Sequence, residues 1–136
     1  MMNMESTEVT EQTIAELVRR FYENAAADER LKAIFDGAIH DWDHHHRVVE
    51  NFWSRTLLNT DRYQGSPYPI HTRLPLQIEH FDIWLEYFRQ TAREVLPGEA
   101  ADRAIGRAEH MAESFKVGMF FDYSPASTTS CAKPGD

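Results

Sequence analysis

Ile14, Leu17, Val18, Phe21, Tyr22 and Ala25 recur at intervals of three and four residues, the spacing of a helix with one buried stripe. The pattern repeats along the chain. Trp42, His45, His46, Val49, Phe52, Trp53 and Thr56 share one face over 41–59, leaving Asp43, Arg47, Glu50 and Arg55 for solvent. Phe81, Trp84, Leu85, Phe88 and Ala92 do the same over 79–95, as do Ala104, Ile105, Ala108, Met111, Ala112, Phe115 and Met119 over 100–121. The first helix is expected over 10–27, with Thr10 as its cap and Glu11 near the positive end of its dipole. A shorter helix with Leu31, Ile34 and Phe35 inward should follow and stop at Gly37, and Pro97-Gly98 should stop the one over 79–95. Strand-like alternation occurs nowhere, so the chain reads as all-α.

One segment resists this pattern. DRYQGSPYPIHTRLPLQ (61–77) holds Gly65, Pro67, Pro69 and Pro75, which exclude a long helix. Ser66-Pro67 can still open a single turn, because a proline in the first turn costs no intrahelical bond.

The 136 residues suffice for one domain with a real core. With 42% hydrophobic and 26% charged residues the chain is ordinary for a globular protein, and its three Trp and eight Phe suggest packing around something flat and apolar. The net charge of −8 and the lack of a Lys/Arg run disfavour a nucleic-acid binder. No apolar run reaches the roughly 18–20 residues of a membrane span. The start, MMNMESTEVTEQ, lacks the basic and apolar regions of a signal peptide. The expectation is a cytoplasmic protein with a disordered arm over 1–9, a folded domain over 10–123 and a disordered tail over 124–136. Cys131, the single cysteine, falls in that tail as a free thiol.

Seven histidines, at 40, 44, 45, 46, 71, 80 and 110, invite a reading in terms of metal chemistry. His71 stands in the proline-punctuated segment, where prolines lower the entropy lost when a ligand is held in place. A neutral imidazole on such a rigid segment is the usual axial ligand of haem iron, whereas an isolated histidine there would be a surface residue. His44, His45 and His46 cannot all face one metal, since successive helical residues point about 100° apart. His45 shares a face with Val49 and Phe52, which sets one titratable group above an apolar floor; a solvated helix start is the plainer reading for His44. Tyr22 lies on a buried stripe, and its hydroxyl needs a partner, by default a backbone carbonyl. The indole of Trp84 raises the same question, with an ordinary core contact as the default.

Taken together, these residues resemble a truncated haemoglobin of the third group. The resemblance covers roughly residues 12–121 and rests on FYENA at 21–25, AIF at 33–35, W-x-x-H at 42–45 and NFW at 51–53. It continues through Tyr63-x-Gly65-x-Pro67, H-x-x-L-P from His71 to Pro75, and FDIWLEYF at 81–88. It implies a globin-like, two-over-two sandwich of helices around haem b, with His71 as proximal iron ligand. Tyr22, His45 and Trp84 would stabilise a distal ligand, with His44 and His46 as the register alternatives to His45. Phe35, Val49, Phe52, Trp53 and Tyr63 would pack on the haem. The glycine-pair motifs of other truncated globins are missing, as in this group generally; the stretch between Tyr22 and His45 is short for it. The implied function is binding of dioxygen, NO and CO, for redox chemistry such as nitric oxide dioxygenation or peroxidase-like activity rather than transport. A monomer served by a reductase is the implied setting.

Two other classes compete. A non-haem di-iron bundle would need Glu-x-x-His from two helices, but Glu79-His80 and Glu109-His110 are adjacent pairs that diverge. A helical interaction domain without cofactor would leave His71 on the surface and the aromatic cluster as core. A haem sensor would need an output domain for which there is no length.

Overall fold

A computed structural model of the chain describes residues 8–120. Among them are six helices and no strand: α1 (Glu11–Ala25), α2 (Glu29–Ala38), α3 (Trp42–Leu58), α4 (Tyr68–His71), α5 (Ile78–Val95) and α6 (Gly98–Phe120). The all-α expectation holds. Most of the expected arm and all of the expected tail, Cys131 included, lie outside the described residues. Val9, within them, packs against the core.

Each helix begins and ends for a local reason. Thr10 caps α1 by accepting from the Thr13 backbone N–H at 3.1 Å, Asp28 caps α2 through Arg30 N–H at 2.8 Å, and Asp41 caps α3 through His44 N–H at 3.1 Å. Gly37 does not end α2 as expected. It stays helical, and the stop comes at Ile39, whose extended backbone (φ −112°, ψ 111°) turns the chain away. Asn59 ends α3 in the left-handed conformation at φ 62°. Leu96, forced to extended backbone before Pro97, ends α5. The Pro97 carbonyl then accepts from Ala101 N–H at 2.8 Å, which is why α6 starts at Gly98 rather than near Ala100.

The packing makes two layers. α1 lies against α3 and α5 against α6, while α1–α5 and α3–α6 contacts join the pairs and α2 leans on α5. This is the expected two-over-two sandwich. Ile14, Leu17 and Val18 of α1 and Phe88 of α5 are essentially solvent-free. On α6 the inner face is alanine at 101, 104, 108 and 112, small enough for α5 to approach closely. The ion pairs Arg89–Glu109 and Lys116–Asp82 also link α5 to α6, but at the surface, where such pairs add little.

Two polar links join separate elements. Ser54, fully buried on α3, donates to Glu11 Oε2 at 2.7 Å, so its contact with Thr60 Oγ1 at 2.8 Å has the threonine donating. Tyr87 of α5 donates to Asp28 Oδ2 at 2.6 Å. Arg30 and Tyr87 together hold the Asp28 carboxyl well below the usual carboxylate range.

Candidate functional site

The buried stripe of α1 carries Tyr22 to the α3 contact. There its hydroxyl meets His45 Nε2 at 2.9 Å, a side-chain partner where a backbone carbonyl was the default. The rest of its surroundings are aromatic. Phe35 of α2 approaches edge-on at 5.6 Å and Trp42 of α3 at 5.5 Å, while His46 stacks on the phenol at 5.5 Å and 26°. Tyr22 is buried, and desolvation raises its pKa far enough that the phenol keeps its proton.

His45 is lowered to about 4, first by burial and then by the neighbouring His46, His71 and His44. It is therefore neutral near pH 7. His46 carries a second signal: its buried Nε2 has no hydrogen-bond partner among the described residues. A buried polar atom left unpaired is costly in an ordinary core.

Val49, Trp53 and Trp84 meet Tyr22 around a small apolar cavity of about 20 Å³, completed by Leu17, Val18, Phe21 and Phe88. Its floor is a stack in which Phe88 lies flat between Trp53 (4.9 Å, 16°) and Trp84 (5.7 Å, 9°). Trp53 is thus a core residue as well as a pocket one. Phe52 meets Trp53 at 5.1 Å and Tyr63 at 5.3 Å, both edge-on. Arg55 Nη1 donates to the Tyr63 carbonyl at 3.2 Å, which ties the proline-punctuated segment to α3. A surface groove of about 490 Å³ between the start of α1 and the end of α5 borders none of the expected site residues.

His71 sits alone on α4. Ser66-Pro67 does open a single turn, and the Pro67 carbonyl lies 2.7 Å from His71 Nδ1. A carbonyl can only accept, so Nδ1 carries the proton and the neutral ring keeps its lone pair on Nε2. Burial lowers the pKa of His71, outweighing the opposing effect of the Pro67 bond. The neutral form with a free Nε2 is the state in which an imidazole binds a metal. The ring leans on Phe115 of α6 at 4.9 Å.

The donor set fits a haem. His71 has its Nδ1 bonded to Pro67 and its Nε2 lone pair available, a second imidazole is bonded to a phenol on the α1–α3 contact, and Phe35, Trp42, Tyr63 and Trp84 remain only half-buried while packing on the core. Among the described residues, no three His, Cys, Asp or Glu side chains gather to hold a metal, so the structure assembles no di-iron set. Nor is any helix among them long and apolar enough to cross a membrane.

Sequence reasoning did not single out Trp42, Tyr68 or Phe115 as site residues, and it had His46 only as a register alternative to His45. For His46 a signal existed, since it precedes Val49 by three residues and Trp53 by seven. Tyr68 and Phe115 meet only through the packing of α4 on α6 (5.4 Å), which no local pattern reveals.

Two helix pairs packed as a sandwich, with a phenol–imidazole pair across the α1–α3 contact and a further imidazole with an available Nε2 on a separate turn, define a protein of the globin class. The chain belongs to the bacterial-like globin family, whose model matches residues 9–117, and is a globin-type haem protein. It is 32% identical over 120 residues to the group 3 truncated hemoglobin ctb of Campylobacter jejuni, spanning 85% of this chain and 94% of that protein. The crystal structure of the group III truncated hemoglobin from Campylobacter jejuni matches with a TM-score of 0.78 over 84% of this chain and 94% of that one, at 32% identity. The expected likeness to the third group is borne out by these matches.

Proposed function

We propose that the chain binds haem b through His71 and uses it to bind dioxygen, NO and CO, for redox chemistry rather than transport. The observation that carries this reading is the Tyr22–His45 hydrogen bond of 2.9 Å, beside a His71 whose Nδ1 is bonded to the Pro67 carbonyl at 2.7 Å and whose Nε2 keeps its lone pair. Bound haem would supply an iron coordination position for a diatomic ligand and the electrons for its reaction.

The residues have separable tasks. His71 would hold the iron through Nε2, oriented by the Pro67 carbonyl. Phe35, Val49, Phe52, Trp53 and Tyr63 would pack on the macrocycle and keep water away. Tyr22, His45 and Trp84 would act on a polar ligand. Trp84 and Tyr22 both border the small cavity. Hydrogen bonds to charged acceptors are worth roughly 1.5–3 kcal/mol each. Two or three such donors favour retention and reaction over release, which suits nitric oxide dioxygenation or peroxidase-like turnover better than carriage. The proposal includes a monomeric, cytoplasmic protein and a separate reductase to return the iron to its ferrous state.

The test is the visible absorption spectrum of the purified protein, ferric and then dithionite-reduced, with and without carbon monoxide. A Soret band that shifts sharply with carbon monoxide supports the reading. A colourless protein that takes up no added hemin overturns it.

A further inference from the structure

We propose that Gly118 and Tyr68 form the seat of the turn that carries His71, and that this seat positions the imidazole. The inference deepens the reading above, since it concerns how the chain presents the ligand that reading assigns.

α4 is four residues long, and a single turn has no stability of its own. Its place is set by what it packs on, and that is α6. The Phe115 ring touches both ends of the turn, Tyr68 at 5.4 Å and His71 at 4.9 Å. Three residues further along α6, Gly118 leaves a notch that the Tyr68 ring enters. A β-carbon added at Gly118 would lie 2.5 Å from Tyr68 Oη, 3.0 Å from Cζ and 3.1 Å from Cε1. The phenol oxygen would clash and two ring carbons would be tight, and turning the hydroxyl moves only its hydrogen, so the ring itself has to give. The ring would have to withdraw from α6, and Phe115 couples that movement to His71, three residues on and on the same face of the turn.

The choice of glycine is informative because it disfavours helix. Gly118 lies inside α6, where alanine would be the better helix former. Gly106 of the same helix is a built-in contrast, since a β-carbon there would meet nothing within 4 Å. Gly118 is thus the glycine of α6 that a close approach requires. Neither it nor Tyr68 is a catalytic residue; they act through His71.

The test uses the full-length chain as the parent and as Gly118→Ala, Tyr68→Leu, the double variant and Gly106→Ala. In the haem-free chain, nitrogen-detected NMR follows the His71 Nδ1–H that is bonded to Pro67. In hemin-loaded, reduced protein, resonance Raman follows the iron–histidine band, and a haem scavenger measures haem loss. Gly118→Ala is expected to shift both the Nδ1–H resonance and the band and to speed haem loss roughly tenfold, the scale of an overpacked contact. The double variant should match Tyr68→Leu, because the alanine then has room. Gly106→Ala should keep the parental signatures and melt at a higher temperature.

A Gly118→Ala chain indistinguishable from Gly106→Ala in both signatures would overturn the proposal. If Gly118→Ala is too unstable to fold, the double variant decides, by folding with the Tyr68→Leu signatures or failing to. Should the parent take up no hemin, the functional reading falls, and the NMR comparison alone still decides the seat.

Discussion

The Tyr22 hydroxyl and His45 Nε2, 23 residues apart in the chain, lie 2.9 Å from each other across the α1–α3 contact. Both groups are neutral near pH 7, because burial raises the phenol and lowers the imidazole. The hydrogen bond between them can run in either direction, depending on the His45 tautomer. If Nε2 is protonated it donates to the phenol oxygen and frees the phenol proton for a ligand in the pocket. In the other tautomer His45 Nε2 accepts from the phenol O–H, which then has nothing left to offer a ligand. Under the proposed function a polar ligand would favour the first arrangement, and an apolar one would leave the choice open.

Tyr22→Phe should release dioxygen about 10- to 150-fold faster, the loss of one hydrogen bond to a charge-bearing acceptor. Carbon monoxide, less polar when bound, should change little in affinity. Stopped-flow release rates for both gases check this, and equal dioxygen rates in variant and parent would remove Tyr22 from the donor set.

His71→Gly should abolish stable haem retention, and added imidazole should restore it by taking the vacated position. Haem carried through gel filtration with and without imidazole is the measurement. A variant that keeps its haem with an unchanged iron–histidine Raman band would show that another residue is the ligand.

Acid should weaken the haem-free fold in a defined window. His45 falls from an ordinary value of 6.5 to about 4 in the folded chain, so the unfolded chain takes up its proton first. Stability from this group is complete above about pH 6.5 and is lost as the pH falls towards 4. His71, lowered as well, acts in the same direction; His44 and His46 are the other titratable neighbours bearing on His45. Urea midpoints for parent and His45→Gln, taken at intervals from pH 7 to 4, should show a shallower decline in the variant. Parallel curves would place the acid sensitivity elsewhere.

Ser54→Ala should cost about 1–2 kcal/mol, since it strips a fully buried hydroxyl that serves both Glu11 and Thr60. Chemical denaturation with an unchanged m-value reads this directly. A neutral substitution would mean that Glu11 and Thr60 satisfy each other or water without the serine.

The helices were legible in the chain because each depends on its own periodicity and caps. The stripe from Ile14 to Ala25 and the cap at Thr10 are local features, and so is the turn after Pro67. Gly37 misled because glycine permits a stop without compelling one; the extended Ile39 supplies it instead. On the site, resemblance brought Tyr22, His45, Trp84 and His71 together on paper, but periodicity alone put each merely on an inner face.

What the sequence by itself determined is the inventory: amphipathic helices, their order, the proline-stiffened turn and the residue types able to do haem chemistry. Tertiary structure alone decided the pairings. Tyr22 finds His45 rather than a carbonyl, His46 is left with an unpaired Nε2, Asp28 finds Tyr87, and Tyr68 enters the notch at Gly118. The physical reason is one of range. Helix propensity, capping and the hydrophobic stripe act within a few residues, whereas Tyr22–His45, Asp28–Tyr87 and Tyr68–Gly118 join residues far apart in the chain, whose distances are fixed only when the helices pack on one another.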